Sequence, residues 1–324
     1  MPNVDVSIII LAKNEEEYIG ATLDMVFRQD IDKKYEVVII DSGSRDSTIE
    51  IARKYPVKIL EIPAREFGHG RTRNLGAKIA GGETVVFLNA DATPMNKDWL
   101  RSLVINFENN EKIAGIYSYT YPRCNCNPLD ARAILADRYL FDTNTKVRYI
   151  ESFSEYNQMD AEEKRKIISF HTISCAINRD ILIKNTFADI PFGEDLEWSK
   201  RMLEAGFRIM YEPRSIVVHS HNIHSSFAIT IKRYFDDAIL SQRLLHRWPS
   251  LHLLKWLAVI AIESKDDVAY ILKLKRSLFY KLGWVIYSPI TRMAEFLGIL
   301  LGALPFLPAN LISKLSLVEQ IKRR

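Results

Sequence analysis

Val85-Val-Phe-Leu-Asn-Ala-Asp91-Ala-Thr-Pro94 is the stretch on which the fold assignment turns. An apolar run of buried-strand character leads into an isolated acid, and Pro94 stops any regular continuation. An α/β sheet binds its ligands beyond the carboxyl ends of its strands, so an acid placed there suits a divalent metal held against a diphosphate. A turn-forming Asp is the plainer alternative, and the residues around the stretch have to decide.

Working outward, Val6 to Leu11 is a continuous apolar run typical of a strand covered on both faces, and Glu16 to Gln29 has helical spacing through Ile19, Leu23, Val26 and Phe27. The alternation continues with strands at Tyr35 to Ile40, Val57 to Ile62 and Thr84 to Leu88, and helices at Thr48 to Tyr55 and Thr72 to Ala80. This pattern predicts an α/β fold with a doubly wound, mostly parallel sheet flanked by helices. It also predicts that the loops Ala12 to Glu15, Asp41 to Asp46 and Asn89 to Asp91 converge at one sheet edge. A helix from Lys97 to Asn109 and strands at Ala114 to Tyr121 and His171 to Asn178 follow. Residues 123–166 read as helical or looped, with the charge run Asp160 to Arg165 as a solvated helix face. Two short strands are expected about Glu212-Pro213.

Four segments carry chemistry. Asp41-Ser42-Gly43-Ser-Arg-Asp46-Ser-Thr48 packs two carboxylates, hydroxyls and a glycine between a strand and a helix, which suits a base or ribose as well as a helix cap. Gly68-His69-Gly-Arg-Thr-Arg73-Asn74 lacks the third glycine of a dinucleotide fingerprint, and there is no Walker-type loop; what remains is a basic helix start suited to a phosphate. In Pro191-Phe-Gly-Glu194-Asp195-Leu-Glu-Trp198 the paired acids either complement a helix dipole or supply a general base, with Trp198 one turn later to wall a sugar pocket. A lone His is usually not a ligand, but one that ends an apolar strand is a better candidate, so His219 is the candidate metal or diphosphate ligand, with His221 and His224 weaker ones.

The opening strand with Ala12-Lys-Asn14-Glu15, the Asp41 to Thr48 loop and Asp91 together resemble family 2 glycosyltransferases of the GT-A fold. Phe67-Gly-His69-Gly-x-Thr72-Arg73-Asn74 and Phe87-Leu-x-x-Asp91-Ala-x-Pro94 resemble that family's rhamnosyltransferase-like branch. The resemblance implies an inverting, metal-dependent transfer of a sugar, with dTDP-L-rhamnose as one donor and a UDP- or GDP-sugar as the alternative. It implies donor binding by Ala12, Asn14, Glu15, Asp41, Ser42, Gly43, Asp46, His69, Arg73, Asn74, Asn89 and Ala90. Asp91 and His219 would hold Mg²⁺ or Mn²⁺, Asp195 with Glu194 would be catalytic, and Trp198 would meet the acceptor. The family's Asp-x-Asp metal motif reads Asn89-Ala-Asp91 here, so one carboxylate stands where two are common. A catalytically inactive binding module is the rival this departure keeps open.

Composition bounds the rest. Residues 232–324 hold 15 Lys+Arg against 7 Asp+Glu, whereas 1–231 hold 29 against 33. A basic C-terminal part rich in aromatic and aliphatic residues points to an anionic membrane surface rather than nucleic acid. Cys124, Cys126 and Cys175 are expected to be reduced thiols, the N-terminal run reads as a strand rather than a signal peptide, and Phe296 to Ser313 is interrupted by Pro305, Pro308 and Asn310. The expected organisation is a catalytic domain over 1–226, donor half 1–122 and acceptor half 123–226, then helices at Phe227 to Arg247, Leu251 to Glu263, Asp266 to Tyr287 and Met293 to Leu304. That extension, 227–324, would be a membrane-surface or homodimerisation element of a cytoplasmic protein, peripheral on the inner membrane face, acting on a glycan or polyprenyl-linked glycan.

Overall fold

Strand β1 (Val6–Ala12) has six of its seven residues buried, as its unbroken apolar run requires of a central strand. The computed structural model describes residues 4–108, 110–137, 143–246, 253–304 and 308–317. In chain order the further strands are β2 (Tyr35–Asp41), β3 (Lys58–Glu61), β4 (Thr84–Asn89), β5 (Thr93–Pro94), β6 (Ile113–Tyr121), β7 (Lys146–Arg148), β8 (Ser174–Asn178) and β9 (Arg208–Val218). The α-helices are α1 (Ile19–Val26), α2 (Thr48–Ala52), α3 (His69–Ile79), α4 (Trp99–Val104), α5 (Pro128–Ala136), α6 (Phe153–Gln158) and α7 (Ala161–Ile168). They continue as α8 (Arg179–Lys184), α9 (Glu194–Glu204), α10 (Phe227–Leu245), α11 (Leu253–Lys273), α12 (Leu278–Gly302) and α13 (Ala309–Leu315).

The chain divides into two compact units, 1–121 with 138–219 and 122–137 with 220–324. The sequence reading placed its boundary at 226; the structure groups 122–137 with the C-terminal helices. Ion pairs explain the grouping: Asp130 of α5 meets His224, and Arg132 meets Glu263 and Asp267 of α11.

The first unit is built on one mixed sheet of order β3-β2-β1-β4-β8-β6-β9-β5, with β7 also on β9. β3, β2, β1 and β4 run parallel, as the alternation predicts. β8 is antiparallel to both β4 and β6, while β6 and β9 are parallel. The register pairs Ala12 with Asp41 and Leu11 with Asn89, so the three predicted loops leave the sheet at one level.

Three local readings change. Arg208 to Val218 is one strand, not two; its register against β6 jumps between Ser118/Glu212 and Tyr119/Ile216, a bulge that begins at the donor-less Pro213. Buried Glu212 closes that bulge by accepting from Arg214 N and Nε. The last long helices break at residues 274–277 rather than 264–265, because Ser277 caps the new helix through Tyr280 N whereas Ser264-Lys265 offers no breaker. The ambiguous 123–166 segment contains α5, β7, α6 and α7, and α7 starts in a capping box between Asp160 and Glu163.

Candidate active site

The first two loops are knitted together by their own polar groups. Asn14, in the left-handed region (φ 55°), donates its N–H to Ser44 Oγ and accepts from Arg45 N, both at 2.8 Å. Glu15 N–H donates to Thr48 Oγ1 and Glu16 N–H to Asp46 Oδ2. Asp41, buried, accepts from Gly43 N, Ser44 N and Ser44 Oγ, and Ser42 N–H donates to Ala12 O. Burial pushes the Asp46 carboxyl up, but the Thr48 hydroxyl and the Glu16 and Thr48 amides outweigh it and hold the group below its ordinary range. These carboxylates therefore hold the two loops in one arrangement.

At the end of β4, Asn89 N–H donates to Ile173 O and Ala90 N–H to Leu11 O, which fixes the turn that presents Asp91. β5 then pairs with Val217 and Val218, bringing the end of β9 beside it. In consequence Asp91 Oδ2 and His219 Nδ1 lie 3.2 Å apart, both side chains buried, although 128 residues separate them. The structure thus brings together the two residues expected to hold a metal. His224, the weaker candidate further along the chain, is occupied by Asp130 and Glu295.

Helix α9 opens on Gly193, whose φ of +79° a glycine adopts without strain. Glu194, the first helical residue, accepts from Arg73 Nη1 at 2.6 Å, with both side chains buried. Among the described residues Arg73 Nε has no hydrogen-bond partner. Asp195 is partly exposed and accepts from Leu196 N at 2.8 Å. Burial, then the Glu194 charge, push its carboxyl up to about 6, against the opposing charges of Arg73 and Arg165. Arg165 sits in the charge run read as a solvated face, and nothing within thirty residues in sequence signals its influence on Asp195.

Three expectations are corrected. Arg73 does not reach out to a donor: it is buried and its guanidinium pairs with Glu194. Trp198 does not face an acceptor: it is wholly buried between Phe170 and Phe187, both ring centroids 5.4 Å away, and its Nε1 donates to Asn185 O. Asn74 is not free for a donor, because its amide both accepts from Phe187 N and donates to Phe187 O. The basic, glycine-containing start of α3 likewise has protein partners: Arg71 pairs with Asp189, and exposed His69 packs edge-on to Phe67.

Gly70 explains why a glycine is needed there, since a Cβ would lie 2.3 Å from Ala188 O. Gly70→Ala is expected to cost about 1–3 kcal/mol of stability, read as a lower denaturant midpoint; an unchanged midpoint would show that the strap at 187–188 gives way freely.

Comparison with known proteins places this geometry. Residues 7–186 match the family model of Glycosyl transferase family 2. O-antigen chain rhamnosyltransferase RfbN of Salmonella typhimurium is 28% identical over 242 residues, covering 72% of this chain and 71% of that protein. WbaN of Salmonella anatum, also named an O-antigen chain rhamnosyltransferase, is 30% identical over 218 residues, 66% of this chain and 64% of its own length. Among solved structures, mannosyltransferase PcManGT from Pyrobaculum calidifontis in complex with GDP-Man and Mn²⁺ superposes with a TM-score of 0.54 at 20% identity, covering 91% of this chain and 86% of that one. S. aureus TarS 1–349 in complex with UDP-GlcNAc superposes at 0.53 and 16% identity, covering 87% and 70%. The structural likeness shows the GT-A fold, and the family match extends through the Asp41 loop, Asp91, β8 and α8. The chain belongs to glycosyl transferase family 2 and is a glycosyltransferase.

Proposed function

We propose that this glycosyltransferase transfers L-rhamnose from dTDP-L-rhamnose, with inversion, to a hydroxyl of a glycan carried on a membrane lipid, at the inner face of the cell membrane. The observation that carries the reading is the buried Asp91–His219 pair at the carboxyl edge of the sheet. The pair fits a hard divalent cation: metal bonds of about 2.1 Å place neighbouring ligand atoms about 3 Å apart, close to the 3.2 Å found. An oxygen and an imidazole nitrogen suit Mn²⁺ or Mg²⁺, with the donor's phosphates supplying further ligands. Held there by Asp91 and His219, a divalent cation would supply positive charge against the leaving diphosphate.

The remaining work belongs to the chain. The loops at Asn14-Glu15 and Asp41 to Asp46 hold base and ribose, with Ser42, Gly43, Asn89 and Ala90 shaping the approach. Asp195 takes the proton of the acceptor hydroxyl while the diphosphate leaves from the opposite face of the sugar. Glu194 and Arg73 position that carboxylate and set its charge environment. The donor sugar follows the names of the rhamnosyltransferase relatives.

A donor panel tests the reading. Turnover of dTDP-L-rhamnose, lost with a chelator and restored by Mn²⁺, is expected; turnover of only a UDP- or GDP-sugar overturns the donor assignment, and full activity in chelator overturns the metal. His219→Ala is expected to raise the Mn²⁺ concentration for half-maximal activity about tenfold or more. A Mn²⁺ titration identical to that of the parent protein would remove His219 from the ligand set.

A further inference from the structure

Helix α12 carries its polar face inward and its apolar face outward. Ser288, Thr291 and Arg292 are buried. Arg292 donates from Nε and Nη2 to the two oxygens of Asp267, itself wholly buried on α11, and Ser288 Oγ donates to the same carboxylate at 2.6 Å. One turn further, Glu295 accepts from Arg292 and meets His224 at 2.8 Å. Burial would lower the His224 pKa, but Asp130 and Glu295 raise it to about 9, so the interior carries a charged and paired histidine at neutral pH.

The opposite face is Phe279, Leu282, Ile286, Ile290 and Met293, at helical offsets of 3, 4, 4 and 3. Phe279 is 87% exposed and Ile286 67%. Gly283 and Pro289 complete the stripe, so it holds no charged residue over four turns. On α11, Leu254 (82% exposed), Ile262 and Leu272 are also turned outward. A water-soluble helix pair arranges these faces the other way, whereas charges packed inward and apolar residues outward are the arrangement that lipid selects.

Charge decides among occupants. Between Val268 and Ala294 there is no acid, and apart from the buried, paired Arg292 the stretch carries Lys273, Lys275, Arg276 and Lys281, the first three at the exposed turn joining the helices. That surface repels its own copy and matches an anionic one. Tyr280, Trp284 and Tyr287 cluster half-buried on the flank of α12, with successive centroids 6.3 and 5.7 Å apart, a grouping of aromatic residues common at headgroup depth.

Length and composition would let α12 cross a bilayer. Its packing argues against that: Gly298 and Gly302 bring it against the backbone of α10 at Ile231 and Phe235, and α10 carries Lys232, Arg233, Asp236, Asp237 and Arg243. Crossing would draw those charges toward hydrocarbon.

We infer that the α11–α12 hairpin is an in-plane docking surface for an anionic bilayer, with the Phe279 to Met293 stripe at the acyl boundary and Lys273, Lys275 and Arg276 among the headgroups. The inference does not rest on the sugar-transfer reading, because binding is measured without donor or acceptor. Flotation of the full chain with phosphatidylcholine vesicles containing or lacking phosphatidylglycerol provides the test. The protein is expected to float with the anionic vesicles at low salt and to sediment with the neutral ones. The exposed-face variant Phe279→Ser/Ile286→Ser is expected to lower the partition coefficient at least tenfold, and Lys273→Glu/Lys275→Glu/Arg276→Glu on the order of a hundredfold, with unchanged circular dichroism. A parent protein that stays at the bottom with both vesicles overturns the proposal. So does a serine variant that floats as well as the parent. A vesicle-free dimer that Phe279→Ser/Ile286→Ser dissociates also overturns it, in favour of a second copy on this face.

Discussion

Asp195→Asn is expected to lower kcat by about two to four powers of ten while leaving the affinity for the donor nearly unchanged. The amide keeps the shape of the side chain but cannot accept the acceptor's proton, and the donor loops at Asn14 and Asp41 lie on other elements of the unit. The same assignment fixes a pH profile. The Asp195 carboxyl is pushed up to about 6 by burial and then by Glu194, so kcat/KM should climb through about pH 6 as the base ionises and level off above it. Stability runs the other way. A carboxyl whose pKa is higher in the folded than in the unfolded chain favours folding only while protonated, so the native state loses stability as pH rises from about 4 through about 6. Above pH 6, Asp195→Asn should therefore unfold at a higher denaturant concentration than the parent protein. Near-normal turnover in this variant would sink the assignment of the base.

Breaking the Arg73–Glu194 pair is expected to cost about 3–5 kcal/mol, because removal of one partner leaves the other as an unpaired buried charge. In Arg73→Leu the stranded group is Glu194, beside Asp195. Two carboxyls then lose the cation that opposes their desolvation, and the rising limb of kcat/KM should move to higher pH. Glu194→Gln removes a charge that raises the Asp195 pKa, so the limb should move to lower pH. Arg73→Leu/Glu194→Leu strands neither charge and should be less destabilised than Arg73→Leu alone, a non-additivity that a merely local packing defect would not produce. Urea unfolding of the three variants measures the first claim and pH–rate profiles the second. If Arg73→Leu unfolds at the parent's midpoint, the pair does not hold α3 to α9.

The readable parts of this protein share a physical cause. β1, β2 and β4 are unbroken apolar runs because a central parallel strand is covered on both faces, and that requirement is written residue by residue. Asp91 stands out for the same reason: it is the acid that ends such a run. The bulge after Glu212 was legible as an interruption at Pro213, but not as one continuous strand, because the partner that holds the strand together is β6, distant in sequence.

Trp198 and Asn74 show where local reading stops. An aromatic ring one turn after a pair of acids has the same local pattern whether it lines a pocket or fills a core; only Phe170 and Phe187, arriving from two other segments, make it core. Asn74 sits in a motif with a plausible ligand role, yet its amide is used by Phe187, 113 residues on.

The strand–helix alternation, the level at which the ligand loops leave the sheet and the single acid at Asp91 are written in the chain itself. Those features depend on each residue's own character and its near neighbours. Tertiary structure alone decided that His219 meets Asp91, that Arg73 is committed to Glu194, and that α12 turns its apolar side outward because Asp267 and Arg292 pair on the inner one. A polar group's role depends on which partner reaches it within about 3 Å, and chain neighbours do not specify that partner.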